Sequence, residues 1–294
     1  VRVKMSMTSV CTESIRKRWG SPRPKPKLFC LLGFSGKRWG VVIERTPLED
    51  ELGDVLEKAL RHAGLTEVAL AERTGIDEVR LRDAIDYRYD LTPDELRRLA
   101  SVLGLNEVGL LALAGGRYGL PEIKGLPFCV YPLRMTHGIG VANAYVIADC
   151  CRETGILFDT GTGGEALRRV WPPNLRRLEA VFVTHRETEH VGGLAEVARM
   201  FGPVPVFGPA GMRAEGVTAV GEGASFGYDA FEIEVLSTPG HVEAHHCYVV
   251  RAKSAPGGAP LLVSGDLLFA GSIGGGYFCH QRLIAQVRRL LDRL

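Results

Sequence analysis

The 294-residue chain has no run near the ~18 consecutive apolar residues that a membrane-spanning helix requires. Its longest apolar pieces are short, such as LFCLLGF at 28–34. That segment is barely long enough for a signal-peptide core and sits behind an overlong, proline-broken leader, so no export signal is expected. No CxxC pair occurs among the seven cysteines, Cys11, Cys30, Cys129, Cys150, Cys151, Cys247 and Cys279. Their odd number and scatter fit neither a disulfide framework nor a thiolate zinc site, so a reducing cytoplasm is expected, with Cys150 and Cys151 as small apolar residues. Hydrophobic residues at 46% and charged residues at 24% are ordinary globular values, which excludes a mainly disordered or fibrous chain.

The net charge of +2 conceals three regions. Residues 1–46 carry 11 Lys/Arg against 2 Asp/Glu, residues 47–116 carry 8 against 15, and residues 117–294 carry 17 of each. Charge therefore marks three predicted segments. The first holds SPRPKPK (21–27) and no sustained periodicity, and is expected to be a basic, disordered arm: a plain tail, translated leader sequence, or a non-specific nucleic-acid contact through phosphate neutralisation.

From Leu48 apolar residues recur at helical spacing (Leu52, Val55, Leu56, Ala59, Leu60) up to Gly64. Four more helices are predicted over 66–75, 76–86, 92–104 and 106–116, with Thr66 and Thr92 as N-caps and Glu95 completing a capping box. Ala69–Glu72, the Gly75–Ile76 turn, Val79 and Ile85, and Leu96, Leu99, Ala100, Leu103 and Gly104 resemble the Cro/phage-repressor-type helix-turn-helix family over about 48–114. The resemblance implies that the helix after the turn enters a DNA major groove. That helix and its flank offer Asp77, Glu78, Arg80, Arg82, Asp83 and Asp86, and four carboxylates facing a polyanion oppose binding. DNA contact, protein contact and dimerisation all stay open for 47–116.

Beyond Gly116, β-branched and aromatic runs (141–149, 154–161, 179–185, 204–208, 231–240, 245–252, 260–266) alternate with helical stretches near 164–170, 193–201 and 280–294. This predicts a layered α/β or α+β domain over 117–294. Directly after the strand EAVFV, THRETEHVGG (184–193) packs His185, Glu187, Glu189 and His190 into six positions, and two glycines then turn the chain closely into a helix. Such a loop can converge imidazoles and carboxylates on a metal. His241 on the Pro-Gly turn of STPGHVEAHH (237–246), Asp266 at a strand end in LLVSGDLLF (261–269) and Asp159 in LFDTG supply further groups.

In order and context these segments resemble the metallo-β-lactamase superfamily over roughly 125–294. The resemblance implies an α+β fold: an αββα sandwich, C-terminally truncated here, preceded by the small all-α helix-turn-helix domain. It also implies that His185 and His241 bind a first metal, that His190 binds a second and that Asp266 bridges both. Glu189 stands where the family has an Asp that binds the second metal and handles protons, and Glu187 stands where it has the second His of the first site. A Glu at that position resembles the flavodiiron branch, although no flavin-binding domain accompanies it, and a carboxylate-rich set favours harder metals. The expected cofactor is Zn2+, one or two ions, with Fe or Mn as alternatives. The family's further His after the last helix has no counterpart before Leu294, so a truncated product or substitution by His280 is expected, with a weakly held second metal. Asp159 is expected to orient a neighbour, His245 to support the ligands, and His246 to be structural. His62 and His137 lack partners in sequence.

The expected function is that of a metal-dependent hydrolase, with Glu189 and Asp266 catalytic, in which a metal-activated water attacks an ester, thioester or amide carbonyl of a small molecule. TPGH and GDLLFAGSIGG are nearest in style to glyoxalase II. The alternatives are a DNA- or protein-binding regulator with a sensing metal domain, and a diiron-type oxidoreductase. No membrane partner is expected, and a homo-oligomer stays open.

Overall fold

The computed structural model describes residues 50–115, 126–137, 140–150 and 152–293. The basic arm, LFCLLGF, Cys11, Cys30 and Cys151 lie outside the described residues. The chain divides into two compact units.

The first unit holds the five predicted helices: α1 (Leu52–Ala63), α2 (Glu67–Thr74), α3 (Glu78–Ile85), α4 (Pro93–Leu103) and α5 (Glu107–Ala114). Thr66 and Thr92 cap α2 and α4, and Thr92 and Glu95 satisfy each other's backbone N–H groups in a capping box. Gly64, Gly75 and Gly104 end α1, α2 and α4 in the left-handed conformation, at φ of 64°, 63° and 67°. Leu56, Leu70, Leu81 and Leu99 are fully buried in its core. Among its described residues the unit is all-helical.

The second unit has two larger sheets, a two-stranded pair and mixed α+β character among its described residues. Strands β1 (Cys129–His137), β2 (Gly140–Ala148), β3 (Thr154–Phe158), β4 (Arg177–Phe182), β5 (Val206–Pro209) and β6 (Val217–Val220) form one sheet in that order, antiparallel through β3 and parallel from β3 to β6. Strands β7 (Ser225–Gly227), β8 (Phe231–Ser237), β9 (His246–Ala252) and β10 (Leu261–Val263) form the other, antiparallel in the order β10-β9-β8-β7. The short strands β11 (Leu268–Phe269) and β12 (Ser272–Ile273) pair with each other.

Alternation along the strands builds three apolar layers. Ile147, Ile156, Phe158 and Phe182 meet Ile233, Val235, Tyr248 and Val250 between the sheets. On the outer face of the first sheet, Leu133, Val146, Leu157 and Val181 pack on Leu167 of α6 (Gly164–Val170) and on Val197 of α8 (Leu194–Phe201), which follows the single-turn α7 (Thr188–Val191). On the outer face of the second, Leu236, Cys247 and Val249 pack on Leu283 and Leu290 of α9 (His280–Arg293). The result is helix, sheet, sheet, helix.

The sequence pattern does not show β1, β6, β7 or the short pair β11 and β12. In β1 a proline interrupts the run, which the sheet tolerates because β1 is an edge strand. The cysteine expectation is also corrected. The β1/β2 register sets Cys129 opposite Ala148, two residues before Cys150, and the two cysteines form a disulfide with Cα atoms 5.2 Å apart. A pair 21 residues apart carries no local signature, and only the hairpin register brings it together. Cys247 is buried and free.

Phe182 lies at the centre of the inter-sheet layer, 5.6 Å from the Phe158 ring, 5.1 Å from Phe226 and 5.2 Å from Tyr248. Phe182→Ala is expected to cost about 3–5 kcal/mol, read as a lowered urea midpoint. Val79→Ser, at a side chain 60% exposed, is expected to move stability by less than about 0.5 kcal/mol.

Candidate metal centre

The candidate groups sit at strand ends or on the loops that follow. After β3, Asp159 adopts φ 56°, a left-handed conformation that Asp tolerates. Its N–H donates to Phe182 O at 2.9 Å. Its carboxylate accepts from the Thr184 N–H (2.7 Å), the Thr184 hydroxyl (2.8 Å) and His190 Nδ1 (2.8 Å). The loop 184–193 is thereby pinned to the end of β3. It closes through Gly192 and Gly193, where a Cβ would stand 2.5 Å from Thr162 O and 2.3 Å from Thr160 O, so only glycine lets the backbones approach this closely.

The two sheets are joined at the same edge. His246 N–H donates to Thr184 O at 2.8 Å, and Tyr248 donates its hydroxyl proton to Val183 O. β8 therefore delivers Thr238 and the turn carrying His241 next to the end of β4, and the 3-10 turn Gly265–Leu267 after β10 delivers Asp266.

Hydrogen bonds fix the imidazole tautomers. The Thr184 hydroxyl spends its proton on Asp159 and so accepts from His185 Nδ1 at 3.0 Å. His241 Nδ1 donates to Gly275 O at 3.0 Å. Both rings therefore present a bare Nε2 lone pair, and both Nε2 atoms are buried without a hydrogen-bond partner. Such orphaned atoms are costly unless something electropositive meets them.

One ligand atom from each of His185, Glu187, His241 and Asp266 lies within 4.8 Å of the other three. Glu187 Oε2 is 3.7 Å from His185 Nε2, and Glu187 Oε1 is 3.4 Å from His241 Nε2, which is also 3.6 Å from Asp266 Oδ2. Two imidazole nitrogens and two carboxylates, converging with orphaned lone pairs, fit a divalent cation. His190 Nε2 approaches the other Asp266 oxygen at 3.2 Å; His190 lies beside the quartet, not in it. Glu189 is outside the quartet and lies 4.0 Å from His137 Nε2, which gives His137 a neighbour that sequence did not show. His280 opens α9 outside the quartet. His62 is exposed in α1. His246 is 2% exposed and sits against Ser237 Oγ at 3.2 Å.

Without a cation the groups compensate one another. The His185 and His241 rings that face it hold the Glu187 carboxyl far below the usual carboxylate range. Burial alone would raise Asp266, but the facing charges of His190, His185 and His241 pull it far down. Burial would lower His190 and His241; Asp266 and Asp159 raise the first well above the ordinary imidazole value, and Glu187 and Asp266 raise the second. Burial, with His185 and His241 nearby, pushes His245 well below it, and burial pushes His246 down to about 4.

The charged residues of α3 are spent locally. Arg80 pairs with Glu95 at 2.9 Å, and Arg82 pairs with Glu67 at 2.9 Å and with Glu78. Asp83 and Asp86 both face Arg88, at 2.8 and 2.9 Å, while Asp77 caps the helix.

The family model of the metallo-beta-lactamase superfamily matches residues 137–294, more than half of the chain. The chain belongs to the metallo-beta-lactamase superfamily. Hydroxyacylglutathione hydrolase of Klebsiella pneumoniae subsp. pneumoniae is 32% identical over 124 residues, covering 40% of this chain and 44% of that protein. Its counterpart in Citrobacter koseri is 34% identical over 120 residues, with the same coverage. The chain thus spans less than half the length of these curated relatives. Among solved structures, ETHE1 from Myxococcus xanthus is similar at 22% identity and a TM-score of 0.43, covering 52% of this chain and 66% of that one. A metallo-beta-lactamase from Staphylococcus aureus is similar at 18% identity and a TM-score of 0.42, covering 51% and 49%. Superfamily members bind divalent metals, and the quartet is a candidate site for one.

Two outcomes are expected. His185→Ala and His241→Ala each lose retained metal by elemental analysis, whereas His62→Ala keeps it; unchanged metal in both site variants would sink the assignment. The second concerns pH. Raised imidazole pKa values contribute stability that is fully present below the ordinary value of about 6.5 and is lost as pH rises through the raised ones. Chelator-treated protein is therefore expected to show a lower urea midpoint at pH 9 than at pH 6, and metal loading to flatten that decline. A midpoint that rises with pH in the metal-free protein would contradict the compensation of charges.

Proposed function

We propose that this chain is a metal-dependent hydrolase acting on a small-molecule thioester, with His185, Glu187, His241 and Asp266 holding the first ion and Glu189, His190 and Asp266 flanking a second position. The convergence of the quartet around orphaned buried Nε2 atoms carries this reading, and the hydroxyacylglutathione hydrolase relatives support the thioester. Zn2+ is the proposed ion, with Fe or Mn as alternatives. When bound, a divalent cation supplies Lewis acidity and a water of lowered pKa.

The protein's own groups do the rest. Asp159, Thr184 and the Gly275 carbonyl hold the imidazoles in the ligating tautomer. Glu187 and Asp266 cancel buried positive charge. Glu189, with its side chain 24% exposed, is the group proposed to take a proton from the attacking water and return it to the leaving thiolate. Tyr277, half exposed with its ring 5.3 Å from that of His241, walls one side.

The regulatory reading of the helical unit is less well supported on its DNA arm. Arg80 and Arg82 already answer carboxylates, which leaves little cationic charge on α3 to neutralise phosphate. Protein contact is the better use of that unit.

With a hydroxyacylglutathione thioester and a thiol-reactive dye, zinc-loaded protein is expected to release thiol, and Glu189→Gln to lower kcat by about 100-fold with metal content unchanged. Absence of turnover with zinc-, iron- and manganese-loaded protein alike would overturn the hydrolase reading. A duplex-DNA gel shift is expected to show only weak, salt-sensitive binding.

A further inference from the structure

His245 is 1% exposed and lies outside the quartet, yet its surroundings treat it as they treat the quartet imidazoles. Cys247 Sγ donates to Ser264 O at 3.4 Å, and the Thr238 hydroxyl donates to Cys247 Sγ at 3.4 Å. Having spent its proton, Thr238 Oγ1 accepts from His245 Nδ1 at 2.8 Å. This relay fixes the proton on Nδ1 and leaves Nε2 bare, buried and without a hydrogen-bond partner.

The position of the ring matters as much as its tautomer. Its centroid is 5.2 Å from that of His185, the same distance that separates His185 from His241, and 6.2 Å from that of His241. The three rings thus form a triangle with two equal sides and a longer third between His241 and His245. Nε2 lies against the turn that carries Asp266: a Cβ on Gly265 would stand 2.9 Å from His245 Nε2 and 2.7 Å from Thr184 Cβ. Gly265, at φ 49°, places no side chain against that nitrogen. No described side chain offers Nε2 a proton, and a purely packing role would be served by an apolar residue without the cost of an orphaned acceptor.

We propose that His245 is a further imidazole ligand of the metal centre, giving it three neutral nitrogen donors (His185, His241, His245) beside Glu187 and Asp266. The Thr238–Cys247–Ser264 relay is then a device that holds His245 in the ligating tautomer. This rests on the metal-centre part of the proposed function and is independent of the thioester.

The test uses cobalt(II) on the full chain, read by chelator competition and by the visible absorption that reports the ligand field. His245→Gly is expected to bind cobalt at least tenfold more weakly and with an altered spectrum, and added imidazole to restore the parental spectrum by filling the cavity. Thr238→Val, which frees the tautomer but keeps the ring, is expected to weaken binding by a smaller factor. Parental affinity and spectrum in His245→Gly would overturn the inference, as would a weakened site whose spectrum is unchanged, since that marks packing alone. If the glycine variant does not fold, zinc titration of the histidine-15N-labelled parent decides: the His245 Nε2 resonance either moves to the metal-bound position or stays, and staying overturns the inference. His185→Ala separates the failures. If it too keeps full cobalt binding, the centre itself is misassigned; if it loses cobalt while His245→Gly does not, only the present inference falls.

Discussion

The carboxylate of Asp159 takes hydrogen bonds from the Thr184 amide, the Thr184 hydroxyl and the His190 ring, and the rest of the centre is arranged by that one contact. Thr184, its proton spent on Asp159, accepts from His185. The Thr184 carbonyl then accepts from the His246 amide at the start of β9, which ties the second sheet to the first at the edge where His241 and Asp266 emerge. A neutral group at 159 could not accept three hydrogen bonds at once, and the loop would lose both its anchor and its imidazole tautomers together. The positive φ of Asp159 costs of order 1 kcal/mol and is repaid by charge-assisted hydrogen bonds that are individually stronger than neutral ones.

Local physics explains what could be read in advance. The helical unit was legible because caps and stops are local: Thr66, Thr92 with Glu95, and the left-handed glycines act within one turn of the residues they serve. The 184–193 loop was legible because four ligand-type residues in six positions cannot all point to solvent, and because Gly192 and Gly193 mark a close backbone approach. The disulfide was not legible, since Cys129 and Cys150 meet only through the β1/β2 register. The neighbourhood of His137 and Glu189 was hidden for the same reason. Likewise the Thr238–Cys247 relay behind His245 depends on β8 and β9 lying side by side, a long-range fact with no spacing of its own in the chain.

Conservation of charge distinguishes the two carboxylates of the quartet from the imidazoles around them. Glu187 and Asp266 sit close enough to the rings that, without a cation, the facing imidazoles hold both carboxyls far below their usual range, while the same carboxylates raise His190 and His241 above theirs. Protons and a metal ion thus compete for the same donor atoms, in a site whose negative charge is fixed. The rise of metal affinity with pH follows from this competition, as does the dependence of metal-free stability on acidity.

A carboxylate at position 187 in place of an imidazole therefore alters more than one bond. With Glu187 and Asp266 both ionised, the quartet carries two negative charges, and a divalent ion within it leaves the buried cluster formally neutral, which removes most of the cost of burying net charge. An imidazole at 187 would leave the same cluster with net positive charge against an apolar wall. The gain in ion retention is offset by a weaker electrophile, because each anionic ligand donates more electron density than a neutral nitrogen and so raises the pKa of a water bound alongside. A neutral donor at His245 adds to retention without adding to this offset. Its burial beneath Gly265, with its Nδ1 proton committed to Thr238, is what a site already saturated with negative charge would need from one more ligand.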